Sequence, residues 1–345
     1  MRFWIINFAV TMLSFAIAGV SGIFLVPFLH KLKFGQPIKV KDGPKWHAKK
    51  QGTPTMGGFM FIISTVITAI LGYWLYRWST NPDVTSKATL NSFYRLLSVI
   101  VFAALFGLIG FIDDFIKVVR KNNDGLSAMQ KIALQLVFSV GFLFALNKFG
   151  DTSTRLDFGF FRTPELHIFY YIILIPVIIY LTNAVNLTDG IDGLCGSVTF
   201  VAMLIFTVCC SILGSNEMTY FTMALAGGCL GFLIWNFNPA KCFMGDTGSM
   251  FLGASVTGVG LVLHKHLLLI LVALVYILEA LSVVIQVSYF KYTKKKYGEG
   301  RRIFKMTPIH HHFEMSGFSE YKIVITFSAA GIISGVLGII TLLAF

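Results

Sequence analysis

Five aspartates in three short motifs hold most of the chemical potential of this sequence. Asp113 and Asp114 stand in "GFIDDFIK", Asp189 and Asp192 in "NAVNLTDGIDGL", and Asp246 in "FMGDTGS". Adjacent carboxylates at the mouth of an oily run are hydrated, are paired with a cation, or hold a metal. Lys117 follows Asp113 by one helical turn. Asn183, Asn186, Asp189 and Asp192 recur every third residue, so a helical backbone would align them in one stripe. Gly190 and Gly193 break such a helix and let backbone approach a ligand closely. Asp246, Thr247 and Ser249 open a further apolar run, where a helix N-terminus flanked by glycine favours an anion such as phosphate.

Several carboxylates beside basic residues suit magnesium and phosphate, because Mg²⁺ takes a few carboxylate oxygens and completes its shell with water and substrate. No GxxxxGK[ST] loop is present, so ATP binding is not indicated. In "PIHHHFE", His310, His311 and His312 are adjacent and cannot all face one centre on a regular helix. Zinc is therefore the weaker reading there. Lys294, Lys295, Lys296, Arg301, Arg302 and Lys305 nearby favour an anion. Glu279 lies midway along an apolar run, where an acid is either functional or a hydrogen-bonded packing group.

These motifs hang on a chain of 345 residues that is 56% hydrophobic and 13% charged. Soluble domains carry roughly 25% charged residues, so the chain belongs to the membrane class. A helix needs about 20 apolar residues to span a bilayer. Runs of that kind lie near 4–29, 56–78, 93–112, 130–148, 168–186, 194–213, 219–236, 249–264, 266–290 and 323–344. The eighth and ninth are separated only by "HKH". The expected architecture is all-α and polytopic, one transmembrane domain over 1–345 with about ten helices. Its larger cytoplasmic loops are expected near 30–55, 113–131 and 291–322. The first run is too long for the ~7–15-residue apolar core of a signal peptide, and reads as a retained helix.

Orientation follows from lysine and arginine. Alternate loops place 20 of the 28 basic residues on one side, which is cytoplasmic by the positive-inside rule, with both termini outside. All five aspartates fall on that same side, at one depth. Anionic lipid headgroups account for much of the positive charge, so nucleic acid is not needed as a partner. The five cysteines show no metal-ligand spacing and read as buried free thiols.

With "TPTMGG" (53–58) and "FNPAKCFMGDTGS" (237–249), these motifs resemble the phospho-N-acetylmuramoyl-pentapeptide transferases, or translocases I, within the superfamily of polyprenyl-phosphate hexosamine-1-phosphate transferases. The likeness spans nearly the whole chain. "PIHHHFE" is the part that looks specific to the muramoyl-pentapeptide branch. The resemblance implies a ten-helix, often dimeric enzyme of the bacterial cytoplasmic (inner) membrane, with Mg²⁺ as cofactor and its site in a cytoplasmic cleft. It would transfer phospho-MurNAc-pentapeptide from UDP-MurNAc-pentapeptide to undecaprenyl phosphate, releasing UMP and lipid I. By the same resemblance Asp246 is the main Mg²⁺ ligand. Asp113 meets the lipid phosphate as base or nucleophile, with Asp114 in support. Asn183, Asp189 and Asp192 contact nucleotide and sugar, and Phe243 either stacks on uracil or is an ordinary interfacial ring. His310 and His311 assist the diphosphate or sugar-peptide, and Lys49 and Lys131 are further phosphate contacts. A sister transferase acting on UDP-GlcNAc shares the aspartates. A secondary transporter, with Glu279 and the aspartates as a proton or cation relay, is the reading from another class, but it predicts charges near the midplane and repeated halves, whereas the acids crowd one interface and no repeat is visible.

Overall fold

A bilayer offers no water to unpaired backbone groups, so long apolar runs close their hydrogen bonds within helices. The computed structural model describes residues 2–32, 50, 52–80, 86–120, 124–150 and 152–345. Among them run α1 (Arg2–Lys31), α2 (Phe59–Thr80), α3 (Lys87–Arg120), α4 (Ala128–Phe149), α5 (Ile168–Thr188) and α6 (Leu194–Ile212). Then come α7 (Asn216–Asn236), α8 (Gly245–Val262), α9 (His266–Val272), α10 (Leu274–Tyr297), α11 (Ile309–Glu314) and α12 (Glu320–Ala344). Nine of these, all but α8, α9 and α11, are long and apolar enough to cross a membrane. The chain is an all-α polytopic membrane protein.

Helix α8 is less apolar because neighbours, rather than lipid, surround it. Residues 247–261 are all buried. A Cβ on Gly107 of α3 would meet Phe251 at 3.3 Å, and one on Gly253 would meet the Thr182 backbone of α5 at 2.8 Å. Small residues thus let three helices close on one another. Its hydroxyls bond back into the helix, Ser255 to the Phe251 carbonyl and Thr257 to the Gly253 carbonyl, each at 2.8 Å. No polar group there needs water.

The "HKH" segment is a real turn, with His264 at φ +54°. The run after it is interrupted only at Ala273. Backbone bonding continues through that point, from Ala273 N–H to the Leu269 carbonyl and from Ile277 N–H to the Ala273 carbonyl. Where the sequence suggests a loop from residue 113, α3 instead continues to Arg120. The reason is that Asp113 and Asp114 are buried and paired, so the helix does not need to end for them to be hydrated. Likewise α10 runs on to Tyr297 before the 298–308 segment begins.

The two ends of the bundle differ in chemistry. Acids and their lysines gather where α3, α5 and α10 end and α4, α6, α8 and α12 begin. Both chain ends lie at the opposite end. Phe3 packs on Tyr76 and Tyr220, and Phe345 packs on Phe160.

Candidate active site

Asp113 is wholly buried in α3 and is the hub of the site. Its Oδ2 lies 2.6 Å from Lys117 Nζ, one turn on, and 2.9 Å from Lys131 Nζ in the first turn of α4. Its Oδ1 accepts the Leu126 N–H at 2.6 Å, fixing the turn that leads into α4. The same two lysines reach Asp246 Oδ2, at 2.9 and 3.3 Å. Asp113 and Asp246, 133 residues apart in sequence, therefore share two ammonium groups. Removing either lysine would leave a poorly compensated charge in a partly dry site.

Asp114 faces the other way. Its carboxylate accepts the Thr247 N–H at 3.0 Å, the Thr247 hydroxyl at 2.8 Å and the Asp246 N–H at 3.2 Å. It caps the N-terminus of α8 from a different helix, supplying acceptors for donors that have no partner in their own first turn. The sequence suggests that this helix start is open to phosphate. In the structure its anion is Asp114. The fit depends on glycines at close approach: a Cβ on Gly110 would lie 2.1 Å from the Asp246 carbonyl oxygen. Gly245, at φ +73°, would press a Cβ to 2.5 Å from Asp114 Oδ2. "TPTMGG" braces the same loop through Gly57 N–H to the Phe243 carbonyl, Gly58 N–H to the Met244 carbonyl, and Phe243 N–H to the Pro54 carbonyl.

The asparagine–aspartate stripe does not stay in line, because α5 ends at Thr188 and its members turn to different neighbours. Asn183 pairs with Gln135 of α4, its amide donating to Oε1 at 3.0 Å. Asn186, whose role in orienting an acid the sequence does not reveal, donates to Asp246 Oδ1 at 3.0 Å and to Ser249 Oγ at 2.8 Å. Asp192 ties the α6 entrance to the 237–241 loop, accepting from Lys50 Nζ at 2.7 Å, Ala240 N–H at 2.9 Å and Asn238 Nδ2 at 3.2 Å. Asp189 caps α5. Burial, then the charges of Asp246, Asp114 and Asp192, push its carboxyl well above the ordinary carboxylate range.

Phe243 is half-buried on the loop before α8. Lys49 lies outside the described residues. In α11, His310 is wholly buried, with Nδ1 3.0 Å from Glu279 Oε2, and His311 Nδ1 lies 2.6 Å from Glu314 Oε2. The two rings touch edge to face at 4.1 Å, while His312 turns away to accept the Lys305 N–H. The three imidazoles do not share one centre, as adjacent positions on a helix require: each Nδ1 meets a different group. Gly190 joins this pair to the acids: a Cβ there would lie 2.2 Å from His310 Nε2, and Asp189 precedes it.

Asp113, Asp114 and Asp246 each bring one oxygen within 4.8 Å of the others, and no second such cluster of metal-ligand types occurs among the described residues. All donors are carboxylate oxygens, which suits a hard divalent cation rather than a thiolate-bound metal. Asp113 and Asp246 carry the capacity, since α8 occupies Asp114. The residues fit a cation that shares its oxygens with Lys117 and Lys131.

Residues 96–264 match the profile of glycosyl transferase family 4. With the fold and the acid–lysine site, this defines a class: an integral-membrane transferase of phosphosugars. The chain is 44% identical over 335 residues to a phospho-N-acetylmuramoyl-pentapeptide-transferase of Clostridium botulinum, covering 96% of this chain and 95% of that protein. It is 42% identical over 331 residues to the protein of that name from Carboxydothermus hydrogenoformans (93% and 94% covered) and 41% over 327 to that from Listeria welshimeri (94% and 95%). The chain belongs to the phospho-N-acetylmuramoyl-pentapeptide-transferase family.

Proposed function

We propose that this chain transfers phospho-MurNAc-pentapeptide from UDP-MurNAc-pentapeptide to undecaprenyl phosphate, giving lipid I and UMP for peptidoglycan synthesis. The observation that carries the reading is the shared pairing of Asp113 and Asp246 with Lys117 and Lys131 at the basic end of the bundle. Two anionic substrates meet there, and phosphoryl transfer needs chiefly in-line positioning and charge stabilisation. An oxygen of the lipid phosphate attacks the sugar-bearing phosphorus. The bond to the bridging oxygen breaks, and UMP leaves with that electron pair.

Asp113 orients the lipid phosphate through the two lysines rather than attacking. A phosphate monoester, with its second pKa near ~6, is already largely a dianion. Asp113 is engaged by a backbone N–H and two ammonium groups, so its oxygens are not free to attack phosphorus. Asp246, with Asp113, would hold Mg²⁺, which would supply charge neutralisation to the diphosphate. Asn186 keeps Asp246 aimed, and Asp114 keeps α8 in place. Asp189, Asp192, Asn183 and Phe243 line the approach for nucleotide and sugar, with Lys49 and Lys131 drawing in phosphate. His310 and His311 take the diphosphate or sugar-peptide side.

The bundle crosses the bacterial cytoplasmic membrane ten times as one domain, counting α8 and taking α9–α10 as one span. The acid end faces the cytoplasm, both termini lie outside, and the enzyme works as a homodimer among membrane lipids. Supporting the orientation are the basic residues at the acid end and the chain ends at the other. Purified protein with Mg²⁺, UDP-MurNAc-pentapeptide and undecaprenyl phosphate should release UMP, and alanine at Asp113, Asp246 or His311 should abolish release with the protein still folded. Release from UDP-GlcNAc instead would select the sister reaction. Phosphate trapped on Asp113 of the wild type would overturn the single displacement.

A further inference from the structure

Glu279 sits in α10, wholly buried, with no role in the chemistry just described. Its Oε2 lies 3.0 Å from His310 Nδ1 and 3.4 Å from the His310 backbone N–H. One carboxylate oxygen facing both groups serves both as an acceptor. That assigns the ring proton to Nδ1 and leaves Nε2 as the presented edge. Among the described residues Nε2 has no hydrogen-bond partner, although it is buried. Buried ring nitrogens are rarely left unpaired, and an unpaired one calls for a ligand or water.

The direction of Nε2 is defined by Gly190, since a Cβ there would lie 2.2 Å from Nε2 and 2.6 Å from Cε1. Gly190 follows Asp189, whose carboxyl lies in the field of Asp246 and Asp114. The unpaired nitrogen therefore looks onto the turn that borders the acid cluster. A glycine at this position lets the His310 ring pack directly against the turn, in the space that a side chain would fill.

Resting on the reaction proposed above, we propose that Glu279 is a positioning residue of this site. It fixes the tautomer and pose of His310 so that Nε2 accepts a hydroxyl or N–H of the nucleotide sugar over the Asp189–Gly190 turn. Partners of this kind, which hold a functional imidazole through its other nitrogen, typically matter by about 10- to 100-fold where they orient metal-bound histidines. The same logic applies to a histidine that binds substrate.

The test is equilibrium binding of UDP-MurNAc-pentapeptide to the full-length protein in detergent with Mg²⁺, alongside UMP release. Glu279→Leu and His310→Ala should each raise Kd by about tenfold. The double variant should be no weaker than either single one, because Glu279 acts only through His310. Glu279→Gln, whose amide oxygen still accepts from Nδ1–H, should stay within about threefold of wild type. Independent losses that multiply to about a hundredfold in the double variant would overturn the proposal, as would wild-type binding in folded Glu279→Leu. If Glu279→Leu does not fold, Gly190→Ala replaces it: its methyl should weaken binding in the wild type and leave His310→Ala unchanged. Equal weakening in both backgrounds would overturn the proposal too. Wild-type protein that binds the nucleotide sugar but never releases UMP refutes the reaction instead of the pairing.

Discussion

Replacing Asp114 separates its two possible duties, holding α8 or serving the reaction directly. Asp114→Ala removes the acceptor for two fixed backbone donors, the N–H groups of Asp246 and Thr247, and for one rotatable hydroxyl. A buried donor left unsatisfied costs about 1–3 kcal/mol, so the two fixed donors alone cost about 2–6 kcal/mol. Asp114→Asn keeps one oxygen, best used by the two Thr247 donors. Its amide NH₂ then faces the Asp246 N–H, leaving one donor unsatisfied at about 1–3 kcal/mol. Stability should fall in the order wild type, Asn, Ala, measured by SDS titration of the folded protein from mixed micelles. UMP release should fall in the same order, because Asp246 moves with its helix. An Asp114→Ala protein as stable as wild type but without turnover would refute the cap and hand this carboxylate to the reaction.

Gly110→Ala should cost roughly 1–3 kcal/mol or more and most of the activity, since its methyl would meet backbone of Asp246 that cannot swing aside. Gly141→Ala, a mid-helix glycine with nothing within 4 Å, should instead be neutral or stabilise by about 0.5–1 kcal/mol; equal effects in the two would count against the α3–α8 contact. Lys131→Met leaves Asp113 and Asp246 less neutralised, so Mg²⁺ titration should show tighter binding while turnover falls. An unchanged Mg²⁺ dependence would mean that ion and lysine do not share those oxygens. In the 152–167 segment, burial raises the Asp157 carboxyl, but the Lys265 hydrogen bond, the Gly159 N–H and the charges of Lys265 and Arg162 outweigh it and hold it below its ordinary value. A depressed acid stabilises the fold above its unfolded pKa, and that stabilisation is lost as pH falls through the folded one. Asp157→Asn should therefore be less stable than wild type at neutral pH, with the gap closing below about pH 4 and turnover unaffected. A gap that does not narrow as pH falls below about 4 would exclude this ion pair as its cause.

Helices, their membrane character and the gathering of five aspartates at one end were legible because apolar run length and the placement of charge are local properties. What each polar group touches was not. Asn183 and Asp189 stand in one motif, yet one pairs with Gln135 while the other borders Asp246, a division set by where α5 stops. Asp114 and Asp113 are neighbours on a helix, so their side chains point about 100° apart. One meets lysines and the other the start of α8. Glu279 could be read as an intramembrane acid, but its partner lies 31 residues on, and no periodicity encodes that distance. The glycines of "TPTMGG" carry a clearer signal in hindsight, since two successive glycines suit a segment that pairs backbone to backbone with another loop.

The clasp between Asp114 and Thr247 joins positions 133 residues apart, and this has a consequence for biogenesis. A ribosome delivers α3 to the membrane long before α8, and until then Asp114 has no helix start to hold. Asp113 has Lys117 beside it from the outset, but Asp246 and Asn186 meet only once the eighth helix has inserted. A nascent or truncated chain ending before residue 245 thus carries seven of the nine long apolar helices found among the described residues and no reaction centre. Insertion of α8 is therefore the step that assembles the acid centre, by bringing Asp246 to Asn186 and Thr247 to Asp114.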